Sequence, residues 1–531
     1  MNGCDNIKEL TITFDKDYRA GTNLTAKVIK TFANCTNLRS ITINNANLFQ
    51  ANGMFYNSQN LTSITFNNSK PAYASINSDG MFCGTGISSI QNIVGLNYHW
   101  LNGANNLFAN CYNLIDVGNG ELDFASGVNR FDFTFANCKK LKNISNSVIN
   151  INKIKCSEYT FYGCENLKDF SNWNFPFTTS TRYMLANCYN LLNISNINCP
   201  VVTFANAMFS NCWSLNNISN INISNAINVP SLFENCTNIQ TISNLNLSKA
   251  ARGENMFKNC SNLISVSNIN LANMTYMQNA FYGCNNLKSI TDVDLSKLTS
   301  ASYLFAGCGE INNFTNLNLA NVTSVSLMFA NSGNISGLET LSLPKVTTLY
   351  FMFGDSNATN IGTLNYPLAT SSAHMFTRCQ NLQYVGDLIF PNSNDFRQMF
   401  QNCFNLRSVG KIYADSVTYL NSPFSLPDGY FYNDLTDFGG FINIGKGYTI
   451  KQTGYYIYDI NLLPMPNLSQ NSMQNVVNGL YNLYLTYNVS NASASYRQII
   501  RMYDTQYNLL TTDEINTIKN KGWIINITNI T

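Results

Sequence analysis

The chain has 531 residues and nearly balanced charge, with 31 Lys and Arg against 29 Asp and Glu, which gives a net charge of +2. This balance argues against a nucleic-acid partner or an anionic membrane surface. Charged residues make up only 11% of the chain, against about 25% in a typical soluble domain. Asn, Ser and Thr must therefore form most of the polar surface. Such a surface suits neutral or sugar-like ligands, although an AT-rich genome would also raise the Asn content.

The N-terminal sequence MNGCDNIKELTITFDKD has no basic segment followed by an apolar stretch. We therefore expect no secretory signal in the chain as given. No run reaches the ~18 apolar residues of a membrane span, so no membrane insertion is expected. Because NGCDNIKEL already reads as the middle of the repeat described next, we expect a partner protein or a missing segment to cover the first coil.

One short pattern, FxNCxNL, recurs along the chain, and its Cys serves below as the marker position of each repeat. The marker falls at Cys4, Cys35, Ser58, Thr85, Cys111, Cys138, Cys164, Cys188, Cys212, Cys236, Cys260, Cys284, Cys308, Ser332, Ser356, Cys379 and Cys403. From Cys188 to Ser356 every step is 24 residues, and earlier steps range from 23 to 31. A period of this length predicts a leucine-rich-repeat-like solenoid, here of about seventeen short repeats.

The apolar residues inside a repeat predict a short strand. After Cys284 they are Leu287, Ile290, Val293, Leu295 and Leu298. The last part of Ile290-x-x-Val293-x-Leu295 alternates inward and outward, as a strand does. Stacked coils would align these strands into a parallel β-sheet on one face of the solenoid.

The marker position accepts Cys, Ser or Thr, so it requires a small residue and tolerates loss of the thiol. Buried packing is the favoured interpretation, and occasional disulfides, including a local one between Cys156 and Cys164, remain an alternative. No C-x-x-C or Cys/His cluster with zinc spacing is present, so no metal site is expected.

The residue before the marker is Asn, Gly or Asp in all repeats but one, which predicts a left-handed turn. Arg378 is the exception, and we expect a local irregularity there.

Four segments carry a family resemblance: MFSNCWSL (208–215), MFKNCSNL (256–263), MFTRCQNL (375–382) and MFQNCFNL (399–406). They resemble the BspA-like leucine-rich-repeat proteins, whose units read roughly MFxxCxxLxxI. The resemblance covers about residues 1–415. It implies a surface protein: an adhesin of bacteria, a surface protein of a protist, or a structural or host-contact protein of a phage.

The C-terminal segments LTDFGGFINIGKGYT (435–449), SQNSMQNVVNGLYNL (469–483) and LTTDEINTIKNKGWII (510–525) resemble the module that ends BspA-like proteins of gut bacteria and their phages. The residues themselves predict an α+β cap. One helix would bury the face formed by Met473, Val476, Val477 and Leu480. A second would begin at a Thr511–Glu514 capping box and end at Gly522, before a strand from Trp523. We predict two domains, a solenoid at 1–415 and a capping module at 416–531.

No catalytic constellation is apparent. His99 and His374 lie outside any motif that would couple them to a nucleophile or a metal. Asp292 and Asp294 resemble a glycosidase carboxylate pair only superficially. We therefore predict a non-enzymatic protein with no catalytic residue, no cofactor and no metal. A polysaccharide-degrading enzyme on a repeat scaffold is a distant alternative.

Two rows of polar residues on the predicted sheet are the candidate binding site. The first amide row is Asn220, Asn244, Asn268, Asp292 and Asn316, and the second amide row is Asn222, Asn246, Asn270, Asp294 and Asn318. They could form side-chain ladders from coil to coil, or a platform for glycans or a protein loop. The aromatic residues near the C-terminal end, Phe390, Tyr413, Tyr430, Phe431, Tyr432, Phe438 and Phe441, could be core or a docking surface.

The leading functional hypothesis is a phage virion protein of tail, fibre or receptor-binding type, located in the virion, that offers a rigid surface for host attachment or assembly. The alternative is a bacterial cell-surface adhesin that binds a host protein or glycan. The expected partners are other virion proteins, or a host surface protein or polysaccharide. Oligomers are possible.

Overall fold

A computed structural model describes residues 6–14, 26–71, 75–117, 122, 124, 127–142, 144, 149, 151–309, 311–417, 423–424, 434–444, 459–480 and 498–529. The chain divides into two compact units, the first formed by Met1–Leu263 and Asn268–Leu271 and the second by Ile264–Ser267 and Ala272–Thr531. Both units are built from the same kind of coil. The predicted fold is confirmed, because the described part forms about eighteen turns of a leucine-rich-repeat-like solenoid and a small helical cap.

The strands of the first unit are short. They are β1 (Glu9–Thr13), β2 (Ala26–Lys27), β3 (Ser40–Asn44), β4 (Asn47–Gln50), β5 (Ser63–Asn67), β6 (Lys70–Pro71), β7 (Ile93–Val94), β8 (Asn193–Asn198), β9 (Asn217–Asn222) and β10 (Thr241–Ser243). Two short 3-10 helices cover Ile90–Asn92 and Tyr98–Trp100.

The second unit continues with equally short strands and adds the helices. Its strands are β11 (Ser265–Ser267), β12 (Ser289–Thr291), β13 (Val293–Asp294), β14 (Leu317–Asn318), β15 (Asn360–Ile361), β16 (Leu364–Asn365), β17 (Tyr384–Val385), β18 (Leu388–Ile389), β19 (Ser408–Val409), β20 (Ile412–Tyr413), β21 (Asp437–Phe438), β22 (Phe441–Ile442), β23 (Asp459–Asn461), β24 (Gln498–Tyr503) and β25 (Trp523–Thr528). Its helices are α1 (Gln470–Gly479), α2 (Asp504–Tyr507) and α3 (Thr512–Asn520), with a 3-10 helix at Leu338–Thr340.

The strands pair in parallel, as the repeat predicted. In the first unit Asn193 of β8 lies opposite Asn217 of β9, one 24-residue repeat later along the chain. In the second unit β16, β18, β20 and β22 follow one another in a four-stranded sheet. The strands form several short sheets instead of one uninterrupted sheet, because bends within each coil limit every strand to a few residues.

Phenylalanine rings stack through the centre of both units. In the first unit Phe32, Phe55, Phe82, Phe108, Phe135 and Phe161 form a continuous stack with ring centroids 5.4 to 5.8 Å apart. In the second unit Phe281, Phe305, Phe329, Phe353, Phe376 and Phe400 form another. All of these rings are buried. Each stacked pair contributes about 0.5–1.5 kcal/mol beyond the burial of its apolar area, so each ring fixes the spacing between its own coil and the next.

The marker cysteines are buried hydrogen-bond donors. The fifteen cysteines of the described part are free thiols, so the alternative of disulfides, including one between Cys156 and Cys164, is not realised there. Cys236 Sγ donates to the carbonyl of Phe209 in the preceding coil at 3.0 Å, and its counterparts repeat this bond. Ser332 Oγ makes the same bond to Phe305 at 2.9 Å. The site therefore selects small side chains that can donate, which explains why Ser replaces Cys there.

The predicted left-handed turn before the marker is confirmed in every described repeat, with φ between 55° and 72°. The expected irregularity at Arg378 is wrong, because its φ of 62° matches the other repeats. Its guanidinium makes two 2.6 Å hydrogen bonds to Asp355 and lies 5.3 Å from the ring centroid of Phe351. These contacts offset the cost of a left-handed conformation in a residue with a Cβ.

A second left-handed position, five residues before each marker, was not predicted. Phe133, Tyr159 and Leu327 adopt φ of 56–57° there, although such residues rarely do so. The backbone N–H of Phe133 donates to Glu158 and that of Tyr159 to Arg182, each at 2.9 Å. These bonds between coils hold the backbone against its intrinsic preference, so the residue type carries no sequence signal.

The C-terminal elements agree with the sequence. Helix α1 begins after Ser469 and buries Met473, Val476 and Val477. Thr511 and Glu514 form the predicted capping box of α3, and Gly522 adopts φ 88° before β25. The domain boundary at 415/416 stays a prediction.

Three of the four described aromatic residues near this end belong to the core. Phe390, Phe438 and Phe441 are at most 2% exposed, and Tyr413 is half-buried. Residues 430–432 lie outside the described residues, as do Gly3 and Cys4 of the first repeat.

Candidate ligand-binding surface

The first amide row marks a left-handed backbone position in each coil, within β9 for Asn220 and outside the strands for the other four residues. Its five residues, Asn220, Asn244, Asn268, Asp292 and Asn316, have φ between 51° and 57°. Each coil therefore bends at the first row. The signal was present in the sequence. Asn and Asp tolerate the left-handed conformation, and they occupy this position as consistently as they precede the marker.

Side chains of the first amide row bond to the equivalent residue of the preceding coil, which for Asn220 is Asn196. In the first unit Asn220 Nδ2 donates to Asn196 Oδ1 at 2.9 Å, and Asn268 Nδ2 donates to Asn244 Oδ1 at 2.6 Å. In the second unit Asn316 Nδ2 donates to Asp292 Oδ1 at 2.6 Å. These ladders replace hydrogen bonds to water and order the exposed side chains.

The second amide row combines a ladder with turns. Asn222 Nδ2 donates to Asn198 Oδ1 at 2.7 Å. The side-chain oxygens of Asn246, Asp294 and Asn318 accept from the backbone N–H two residues later, at 2.9 to 3.1 Å. This Asx-turn geometry stabilises the corner that follows each strand.

The two rows are thus held in place by their own hydrogen bonds. An Asn side chain has two N–H donors and two acceptor lone pairs, so the single bonds described above leave capacity toward solvent. The residues are exposed apart from the half-buried Asn222. Their role in ligand binding stays a prediction. The two carboxylates, Asp292 and Asp294, are engaged in the ladder and in a turn.

The repeat pattern is broken at one place in the second unit. Within residues 333–340, GNISGLET, a 3-10 helix covers Leu338–Thr340, and Gly337 precedes it with φ 72°. A cleft of about 300 Å³ opens there, and its walls include Asn334, Glu339 and Thr359. The cleft has only one charged side chain, so it resembles the polar surface elsewhere.

A stacked aromatic pair, half-buried Tyr189 and exposed Trp213, lies in the first unit, and sequence reasoning missed it. Tyr189 and Trp213 stack with their ring centroids 4.2 Å apart. The signal was their shared position, one residue after the markers Cys188 and Cys212. Trp213 is 49% exposed.

The histidines have structural surroundings. His99 lies in a 3-10 helix, where its backbone N–H donates to Asn97 Oδ1 at 2.9 Å. His374 Nδ1 is 3.4 Å from Thr377 Oγ1, and burial lowers the pKa of the His374 imidazole.

The described ranges contain no group of three or more metal-ligating side chains. Among the helices in those ranges, none has the length and apolar character to cross a membrane.

The repeated coil, the phenylalanine stack and the turn before a buried Cys define a leucine-rich-repeat solenoid of BspA type. Residues 3–121 match the family described as BspA type leucine rich repeat region, with six copies. Residues 76–193, 158–265, 254–366 and 299–413 match the family described as Mycoplasma protein of unknown function, DUF285. The chain belongs to this DUF285 family, among the BspA-like leucine-rich-repeat surface proteins. No curated protein sequence matches the chain.

Some solved structures show low similarity to the chain. One is Toll from Drosophila in complex with Spatzle, with 12% identity and a TM-score of 0.19. The match covers 93% of this chain and 64% of the Toll chain, so this chain spans less than two thirds of that relative. Another is the ectodomain of the Arabidopsis thaliana receptor kinase GASSHO1/SCHENGEN3 in complex with CASPARIAN STRIP INTEGRITY FACTOR 2. It has 12% identity and a TM-score of 0.15, and the match covers 94% of this chain and 70% of the ectodomain chain.

The family defines a broad role. BspA-like leucine-rich-repeat proteins are cell-surface or extracellular proteins, and their repeats suggest an adhesin-like function. A leucine-rich-repeat solenoid is typically a scaffold for interactions and not an enzyme.

Proposed function

We propose that the protein is a non-enzymatic attachment protein that presents its solenoid surface to a ligand outside the cell. The observation that carries this proposal is the ordered polar surface formed by the two amide rows. Ladders and Asx turns fix these side chains before any ligand arrives, so binding would cost little further side-chain entropy. A uniform, nearly uncharged surface also suits a neutral ligand better than an ionic one.

The location proposed first is the surface of a bacterial cell, where the protein would act as an adhesin for a host protein or glycan. A phage virion protein of tail or fibre type is the second candidate. It is favoured by the three C-terminal segments that resemble modules of gut-bacterial and phage proteins. Both locations require the same attachment surface.

Quantitative mass spectrometry separates these locations. Density-purified phage particles, washed cell envelopes and cytosol are compared for the peptide MYDTQYNLLTTDEINTIK, residues 502–519. Enrichment in envelopes, together with its loss when intact cells are treated with protease, supports the adhesin. A fixed copy number per virion supports the phage protein. Recovery in the cytosol alone would contradict an attachment role of either kind.

A further inference from the structure

The stacked pair of Tyr189 and Trp213 is oriented along the succession of coils. Their ring planes differ by 23° and their centroids are 4.2 Å apart. This distance is close to the ~4.8 Å between neighbouring parallel strands, so the rings lie above one another as the coils do. Tyr189 therefore covers one face of Trp213, and the second face points toward the next coil.

The next two coils leave space beside that second face. The equivalent positions hold the small residues Thr237 and Ser261, one residue after the markers Cys236 and Cys260. The hydroxyl of Thr237 donates to the backbone carbonyl of Trp213 at 3.2 Å, which keeps this side chain close to the backbone. Trp213 remains 49% exposed, and no described residue accepts a hydrogen bond from its indole N–H.

The surroundings of this space are polar and neutral. Asn238 and Asn262 follow the two small residues, and their exposed amides lie 3.4 Å apart. Charged residues on the flanking positions are paired, Glu234 with Lys258 at 3.5 Å and, in the two coils before Tyr189, Lys139 with Glu165 at 2.8 Å. A ligand here meets one aromatic face, hydroxyl groups and amides, with no unpaired charge among these residues.

We propose that the second face of Trp213 is a binding subsite for a neutral hexopyranose unit of a glycan. The C–H face of a sugar ring would stack on the indole, and its hydroxyl groups would exchange hydrogen bonds with the indole N–H, Ser261 and the two amides. Binding sites commonly combine an apolar surface with a few polar groups that fix orientation. This inference rests on the proposed attachment function and names its ligand class.

Other ligand classes fit these residues less well. A nucleotide would require free cations near its phosphate, and Lys258 is paired with Glu234. A protein partner requires about 800 Å² of buried surface per side with an apolar centre, whereas this pair is a small aromatic patch between amides and the Lys139–Glu165 ion pair. A sugar ring is neutral and therefore matches a surface whose charged residues are paired.

Tryptophan fluorescence of the full chain provides the first test, because Trp213 is the exposed tryptophan, whereas Trp173 and Trp523 are buried and Trp100 is half-buried. The probes are cellotetraose, tri-N-acetylchitotriose, mannotriose and lactose. We expect at least one of them to shift the emission to shorter wavelength and to protect the indole from acrylamide quenching. If none of the four sugars changes the emission or the quenching, the proposal is overturned.

Three variants locate the site, with affinity for the positive sugar measured by calorimetry. Trp213→Ala removes the platform, and Thr237→Arg places a guanidinium over the same face while Trp213 stays in place. Both should weaken binding by about tenfold or more. Tyr276→Ala is the matched control, because Tyr276 is 51% exposed at a different position of the coil, and it should change affinity by less than about twofold. Equal affinity of wild type and Trp213→Ala would overturn the proposal.

A second experiment distinguishes this inference from the proposed function. The full chain is applied to intact cells before and after periodate, which destroys the vicinal diols of glycans. Binding that is lost after periodate and reduced in Trp213→Ala supports the sugar subsite. Binding that survives both treatments contradicts the sugar subsite while the attachment function stands. If no cell is bound, the attachment function fails, and the soluble sugars above decide the subsite on their own.

Discussion

Replacing Cys236 by Ser, Ala or Leu separates the two roles that the marker position combines, small volume and hydrogen-bond donation. Cys236 is fully buried, and its thiol donates to the carbonyl of Phe209 at 3.0 Å. At the equivalent position Ser332 is also fully buried and its hydroxyl reaches the carbonyl of Phe305 at 2.9 Å. The hydroxyl of a serine at position 236 should therefore find its partner without a shift of the backbone.

The expected losses in the free energy of unfolding follow from these contacts. Burial of a group of the size of one sulfur contributes about 1 kcal/mol, and a neutral hydrogen bond contributes about 1 kcal/mol. Cys236→Ala loses both, so we expect it to cost about 2 kcal/mol. Cys236→Ser keeps the hydrogen bond and should cost about 1 kcal/mol or less. Cys236→Leu adds volume to a close-packed core and should cost about 1–3 kcal/mol.

Urea unfolding followed by circular dichroism provides the comparison, with equal slopes required for all four proteins. Because long repeat arrays can unfold in several steps, amide hydrogen exchange of peptides that cover residues 230–240 should report the same order locally. The decisive result is the order of Ser and Ala. If Cys236→Ser is less stable than Cys236→Ala by about 1 kcal/mol or more, the site is purely apolar and the role of the thiol as a donor is refuted.

Three further predictions use other contacts. In a thermal unfolding assay, Gly309→Ala should lower stability by several kcal/mol or prevent folding, because the new Cβ would overlap the backbone carbonyl of Asn285. Gly362→Ala is the control and should be nearly neutral, because no atom lies within 4 Å of its new Cβ. Arg378→Asn should change stability by less than about 1 kcal/mol, since Asn favours the left-handed conformation, and Arg378→Val should cost clearly more; equal values would contradict the account of this turn. Burial raises the pKa of the Cys111 thiol to about 12. Iodoacetamide at pH 8 should therefore label Cys111 only in the denatured chain, and rapid labelling of the folded chain would refute this. The free energy of unfolding should fall as the pH rises from 9 toward 12, because the unfolded chain loses the thiol proton first.

The sequence was most informative where one residue type is required at every repeat. The small donor at the marker and the Asn, Gly or Asp before it revealed the coil length and a left-handed turn. The first amide row carried the same signal, but the apolar pattern around Asn220 also fits a strand, and that reading obscured the bend. The left-handed position of Phe133 could not be predicted, because hydrogen bonds between coils impose it on any residue.

The aromatic pair shows a different limit of prediction from the sequence. Tyr189 and Trp213 are 24 residues apart, and their shared position after a marker shows only that the two residues are equivalent in successive repeats. Only the alignment of the coils brings their rings together, and only the small residues at 237 and 261 leave a face open. A contact of this kind depends on three or four coils at once, so a pattern read within one repeat does not reveal it.

Recognition by this solenoid should therefore depend on departures from the repeat. The amide ladders are alike in neighbouring coils, so along the rows a ligand would meet similar groups at each step and would gain little specificity from any one of them. Trp213 ends an aromatic stack, and the cleft beside Glu339 lies where the repeat is interrupted, so each of these places differs from the amide rows. If attachment is specific, substitutions at such places should alter ligand choice, whereas single substitutions such as Asn244→Ser should chiefly lower the stability of the coil.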